Sequence, residues 1–198
     1  MAEWCAVMKP SAPALATAAT GVGVAVAAWQ MGGQAVELAK LGAETQRAEN
    51  AFRSLAQQAG QSADQMLSAM QNASRGTISN ADLMASANRA MILGVADSAN
   101  EMSQLMQVAI ARGSKLGMSA SDAFSDLVTG IGRMSPLILD NLGIVTGGAK
   151  VFDDYAASIG TTAAHLSDAE RKQALVNSVI ASSADLVRQN AAAGNDAA

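Results

Sequence analysis

The chain has 198 residues and a net charge of −4, a balance that argues against the basic stripe of a general nucleic-acid binder. It has one cysteine, Cys5, and one histidine, His165, which exclude an internal disulfide and a metal site built from several Cys and His ligands. Hydrophobic residues make up 50% but aromatics only 3%, so the composition favours helices packed through small side chains, with 11 Met as adaptable filler.

The first 13 residues carry no pattern of their own and are expected to lack a defined structure. Pro13 is well placed to open a helix, because its missing N–H costs nothing in a first turn. No charge occurs from Pro10 to Val36. Within that span SAPALATAATGVGVAVAAWQMGG has the length of a membrane-spanning helix, but its Ala, Gly, Val and Thr give a weak hydrophobic drive. A cleaved signal, a fixed anchor and a small-residue helix able to enter protein or lipid are the three readings of residues 14–36. No proline interrupts the chain from Ala14 to Ala59. A single helix over 14–60 is therefore expected, roughly 69 Å long at about 1.5 Å per residue. Its apolar first half leads into a seam of Leu38, Leu41, Thr45, Ala48, Phe52, Leu55 and Ala59, spaced three and four apart. Such a seam calls for a partner helix, and Gly60 is a natural stop.

Beyond Gly60 the punctuation changes. Ser62-x-x-Gln65, Ser79-x-x-Asp82, Ser98-x-x-Glu101, Ser119-x-x-Asp122 and Ser167-x-x-Glu170 all resemble capping boxes. In such a box the serine oxygen accepts from a free backbone N–H, and the acid or amide reaches back to the serine N–H. Each box precedes a helical apolar stripe: Met66, Leu67 and Met70; Leu83, Ala87, Ala90 and Met91; Met102, Leu105, Met106, Ala109 and Ile110; Phe124, Leu127, Val128 and Ile131; Leu175, Val179, Ile180, Leu186 and Val187. Gly76, Gly94, Gly113 with Gly117, and Gly143 with Gly147–Gly148 mark the ends. No stretch alternates with period two, so no strand is expected. Between Arg133 and Ile144 the chain reads RMSPLILDNLGI. Ser135 can cap a helix that Pro136 opens. Leu137, Ile138, Leu139, Leu142 and Ile144 then make a short helix apolar on nearly every side. Pro136 to Ile144 is therefore expected as a buried plug, with Asp140 and Asn141 on its solvent edge.

Reactive chemistry is sparse. His165 has no partner ligand and no nucleophile motif around it. Asp153 and Asp154 are adjacent, and adjacent helical residues point about 100° apart, so they do not form a facing carboxylate pair. TGGAK, Thr146 to Lys150, lacks the first glycine, the hydroxyl residue and the strand of a phosphate loop. Gly130-x-Gly132 lacks the second half of a dinucleotide fingerprint. Arg112, Lys115 and Arg133 could touch phosphate, but separated cations more often serve helix C-termini. The Met stripes could form a peptide groove, but helical spacing favours a core.

ASRGTISNADLMASANRAMILGV, Ala73 to Val95, and MQVAIARGSKLGMSASDAFSDLVTGIGRMSPLILDNLGI, Met106 to Ile144, resemble the tape measure proteins of long-tailed bacteriophages and prophages. VFDDYAASIG and LSDAERKQALVN are similar too, and with the upstream Ala/Gly/Val helix the resemblance covers about residues 14 to 185. SRGTIS, RGSKLGMS and SPLILDNLGI are its most specific parts. It implies a structural role: such proteins run along the lumen of the growing tail tube, their helical length sets the number of rings, and they leave with the DNA, their apolar segments thought to help it cross the host envelope. It implies partners among tail tube and tail assembly proteins, self-association, transient contact with the host membrane, and residence in the virion tail after assembly in the host cytoplasm. It implies no sequence-specific nucleic-acid binding and no small-molecule substrate. Some tape measures also carry lysozyme-like or peptidase domains, but neither paired carboxylates nor a metal cluster is evident here. Family members are usually much longer, so the chain is expected to be a fragment or a split product.

The expected architecture is all-α. One long helix over 14–60 precedes a compact domain of about six to seven helices over 61–190, and a disordered tail follows over 191–198. No catalytic residue, metal or cofactor is expected.

Overall fold

The structure, a computed structural model, describes the backbone of residues 34–196 and the side chains of residues 42–193. The expected start at 1–13, Cys5 and the apolar stretch up to residue 33 lie outside the described residues. The described residues form eight α-helices and one 3₁₀ turn, with no strand among them. In chain order the helices are α1 (Gln34–Gln58), α2 (Ala63–Ser74), α3 (Asn80–Ile92), α4 (Ala99–Leu116), α5 (Ala120–Gly132), α6 (Pro136–Asn141), α7 (Ala149–Ser158) and α8 (Asp168–Asp196). The turn Ala163–His165 lies between α7 and α8.

The chain divides into two units, Met1–Glu44 and Thr45–Ala198. In the first, the described residues are the opening turns of α1. The second is built around α4, which packs on α2, α5 and α8. Its stripe explains that central place: Met102, Leu105, Met106, Val108, Ala109 and Ala111 are all buried, so apolar side chains emerge on more than one side. Around it, α3 and α6 pack on α5, and α7 packs on α8. The core combines methionines Met66, Met70, Met102 and Met106 with Phe52, Phe124 and Leu127. Flexible thioethers fill the gaps that so few aromatics leave.

Glycine sets one helix contact by what it omits. A Cβ on Gly130, inside α5, would lie 2.7 Å from Leu139 Cδ2 and 2.9 Å from its Cγ. The missing side chain is the notch into which α6 fits. Gly113 behaves differently from its expected role as a stop. It lies inside α4, buried against Ala123 and the Met118 carbonyl, and the helix ends instead at Gly117 in the left-handed region. At the other end of the domain α8 continues to Asp196, past the tail expected from residue 191. Ala191, Ala192 and Ala193 are the strongest helix formers, and Gly194 alone costs too little to stop the helix.

Candidate functional site

The five serines stand where the boxes put them, at helix N-termini, and each accepts from the backbone N–H three residues on. The acceptor distances are 3.4 Å at Ser62, 3.2 Å at Ser79, 3.3 Å at Ser98, 3.1 Å at Ser119 and 3.3 Å at Ser167. The reciprocal bond is where the expectation needs correcting. Only Glu170 accepts from its serine backbone N–H, at 2.8 Å. Asp82 and Asp122 accept instead from the hydroxyls of Ser79 and Ser119, at 2.8 and 2.7 Å. Their side chains are one methylene shorter than glutamate and do not span back to the serine N–H. Glu101 takes the Ser98 hydroxyl at 3.1 Å and turns its other oxygen to Gln173 Nε2 of α8 at 3.0 Å, so a local cap becomes a tertiary tie. At Glu170 the hydroxyl and then the backbone N–H of Ser167 hold the carboxyl below the usual carboxylate range.

The plug is only half what the sequence suggests. Leu139, Leu142 and Ile144 are buried, and Ile138 is half-buried. Pro136 is exposed and Leu137 is 79% exposed, which corrects the expectation that both are buried. Helical residues two apart point about 200° from one another. When Leu139 enters the Gly130 notch, Leu137 must face away. Ser135 is the N-cap by position but makes no side-chain capping bond. Asp140 and Asn141 lie on the exposed side.

Along α1 the seam is visible from Thr45 onward. Phe52 is buried, while Thr45, Ala48, Leu55 and Ala59 are half-buried. Ala56 joins them fully buried, so the face has the 3.6-residue period of a globular helix rather than a strict heptad. Its partner over this stretch is the chain's own domain. Asn88 Nδ2 of α3 donates to the Ala48 carbonyl at 3.0 Å, and Phe52 shares a cavity of about 140 Å³ with Leu67 and Met84. The side chains of Leu38 and Leu41 lie outside the described residues.

Among the described residues, four cations hold backbone carbonyls: Arg75, Arg112, Arg171 and Lys172. Arg112 donates from Nη1 to the Gly143 carbonyl at 2.7 Å and from Nη2 to the buried Ser183 hydroxyl at 3.1 Å, joining α4, the turn after α6, and α8. Partial burial pulls its guanidinium below the usual arginine range. This tie escapes a sequence reading because its ends are 31 and 71 residues away. Arg171 donates to the carbonyls of Ala163 and Leu166 and lies 5.5 Å from the Phe152 ring centroid. Lys172 Nζ donates to the Leu93 carbonyl at 2.7 Å. Lys150 pairs with Asp154 one turn on, at 2.6 Å, and His165 Nδ1 lies 2.9 Å from the Thr162 hydroxyl.

Among the described residues no three His, Cys, Asp or Glu side chains converge as a metal site would require. No described helix is long and apolar enough to cross a membrane. Two open concavities of about 520 and 530 Å³ among the described residues are lined by amide, hydroxyl, arginine and aliphatic groups. No family model, curated protein or solved structure matches the chain. Several polar groups of the described residues cap helix ends or tie one helix to another.

Proposed function

We propose that the chain is a non-catalytic structural module of a phage tail tape measure protein, contributing to tail length and to DNA passage into the host. One observation carries this reading most. The motifs that resemble the family are joined to one another: Arg112 of RGSKLGMS donates to Gly143 of SPLILDNLGI, and Leu139 of the same segment seats on Gly130. SRGTIS likewise forms the α2–α3 turn and supplies the Ser79 cap. Motifs spent on junctions between helices suit a protein whose product is shape. In this reading α1 continues the apolar segment from residue 14 as one helix, and the chain associates with itself and with tail tube and assembly proteins. The experiment is an in-frame deletion of a helical block from the gene that encodes this segment. Tail length measured by electron microscopy should fall by about 1.5 Å per helical residue removed. Tails of unchanged length would remove the ruler role.

A second reading rests on the uncharged run from Pro10 to Val36, which suits entry into the host membrane. Vesicle partition and dye leakage test it. Release from zwitterionic and anionic vesicles is expected if residues 14–36 insert, and an inert protein would rule it out.

A further inference from the structure

Helices α3 and α5 end side by side. A Cβ on Gly132 would lie 2.8 Å from Leu93 Cβ, so the backbone of α5 and the end of α3 approach closely there. Beside that contact lies an open groove of about 530 Å³, and three features of its lining stand out. Ile92 contributes an apolar side chain and is 71% exposed, a large aliphatic group of the lining left in water. Arg89 and Arg133 also line it. Arg89 donates to the Ser125 hydroxyl, an uncharged acceptor, and the ion pairs found among the described residues involve neither arginine. The Arg133 backbone N–H donates to the Thr129 carbonyl at 3.0 Å, but its guanidinium has no hydrogen-bond partner among the described residues. The remaining lining, with Asn88 and Thr129 as its polar members, contains no carboxylate.

Both arginines are close to helix C-termini, where a cation complements the dipole. That role explains their sign but leaves Ile92 uncovered and the Arg133 guanidinium without an acceptor. We propose that this groove docks an acidic segment of a partner protein, one that places an apolar side chain on Ile92 between two carboxylates held by Arg89 and Arg133. The guanidinium fork matches a carboxylate with two parallel N–H···O bonds. The exposed isoleucine supplies apolar burial that a phosphate could not use. Two cations are too few for nucleic acid, whose sites need a longer basic track.

The test uses the full chain and a labelled twelve-residue peptide with one leucine flanked by two glutamates in an Ala/Gln background. The readouts are fluorescence anisotropy and the chemical shift of the Ile92 δ1 methyl. Saturable binding that moves this methyl is expected. Arg133→Ala should weaken binding by about threefold or more and Ile92→Ser by about tenfold, with helical circular dichroism unchanged. A peptide with lysines in place of the glutamates should not bind. No shift at Ile92 with millimolar peptide would overturn the proposal, as would equal binding of the lysine peptide or equal binding by Arg133→Ala. Inorganic phosphate or anionic vesicles moving the methyl as strongly as the peptide would overturn it in favour of phosphate recognition. Self-association abolished by Ile92→Ser and indifferent to the peptide would overturn it in favour of a second copy of the chain.

Discussion

A serine at a helix start in this protein does two jobs with one oxygen. Ser79 and Ser119 accept from the backbone and donate to the aspartate three residues on, so both the hydroxyl and the helix end are satisfied. Replacing either by alanine removes the acceptor and leaves the N–H to water. Each should cost about 1 kcal/mol in urea denaturation, and a change indistinguishable from zero would show that the cap contributes nothing. Glu170 gives a test with a sign. Its carboxyl is held below its ordinary value by Ser167, so its contribution is present above the unfolded value of roughly 4.3 and is lost as pH falls through the lower folded value. Wild type should therefore melt above Glu170→Gln at neutral pH, and the gap should close on acidification. A gap independent of pH would contradict the role of the charge. These caps were legible because the bond spans three residues. The choice between backbone N–H and hydroxyl was not: aspartate is a methylene short of the N–H, and Glu101, long enough, gives its second oxygen to Gln173 of α8 instead. Arg112 was harder still: nothing near it in sequence points to Gly143 or Ser183.

Among the elements, α6 shows what hydrophobicity alone leaves open. PLILDN has three successive aliphatic residues, and uniform greasiness reads as burial on all sides. A six-residue helix whose main contact is with α5 buries the face that carries Leu139, and the Gly130 notch receives that residue. Leu139→Ala should cost roughly 2–5 kcal/mol, because it empties a fully buried position. Leu137→Ala, at 79% exposure, should stay within about 0.5 kcal/mol. Equal costs in denaturant titrations would mean that the packing of α6 is wrong. Two glycines separate propensity from packing in the same way. Gly42 of α1 has nothing within 4 Å of an added Cβ, and Gly42→Ala should raise stability or helicity by about 0.5–1 kcal/mol. Gly130→Ala has the same intrinsic gain but must displace Leu139 inside the core, and overpacking of about 1–3 kcal/mol should make it a net loss. Thermal melts of the pair should shift in opposite directions, and a common direction would refute the notch. The seam of α1 was similarly legible as a face, while its partner was not. A stripe of apolar residues says that something covers it, and only the fold shows that from Thr45 onward the cover is the chain's own domain.

At the scale of the molecule, composition proved a good guide to class. Much alanine, little aromatic surface and repeated caps gave helices throughout the described residues. Among the described residues, Arg75, Arg171 and Lys172 hold carbonyls at or near helix ends, and Arg112 ties α4 to the turn after α6 and to α8. We propose that this frame is itself the function, carried inside a phage tail. The most direct measurement is quantitative peptide mass spectrometry of tails purified from the host that carries the gene, before and after triggered DNA ejection. Peptides of this chain should be present in intact tails at a fixed ratio to the tube protein and depleted after ejection. A chain that is expressed in the host yet absent from intact tails would contradict it.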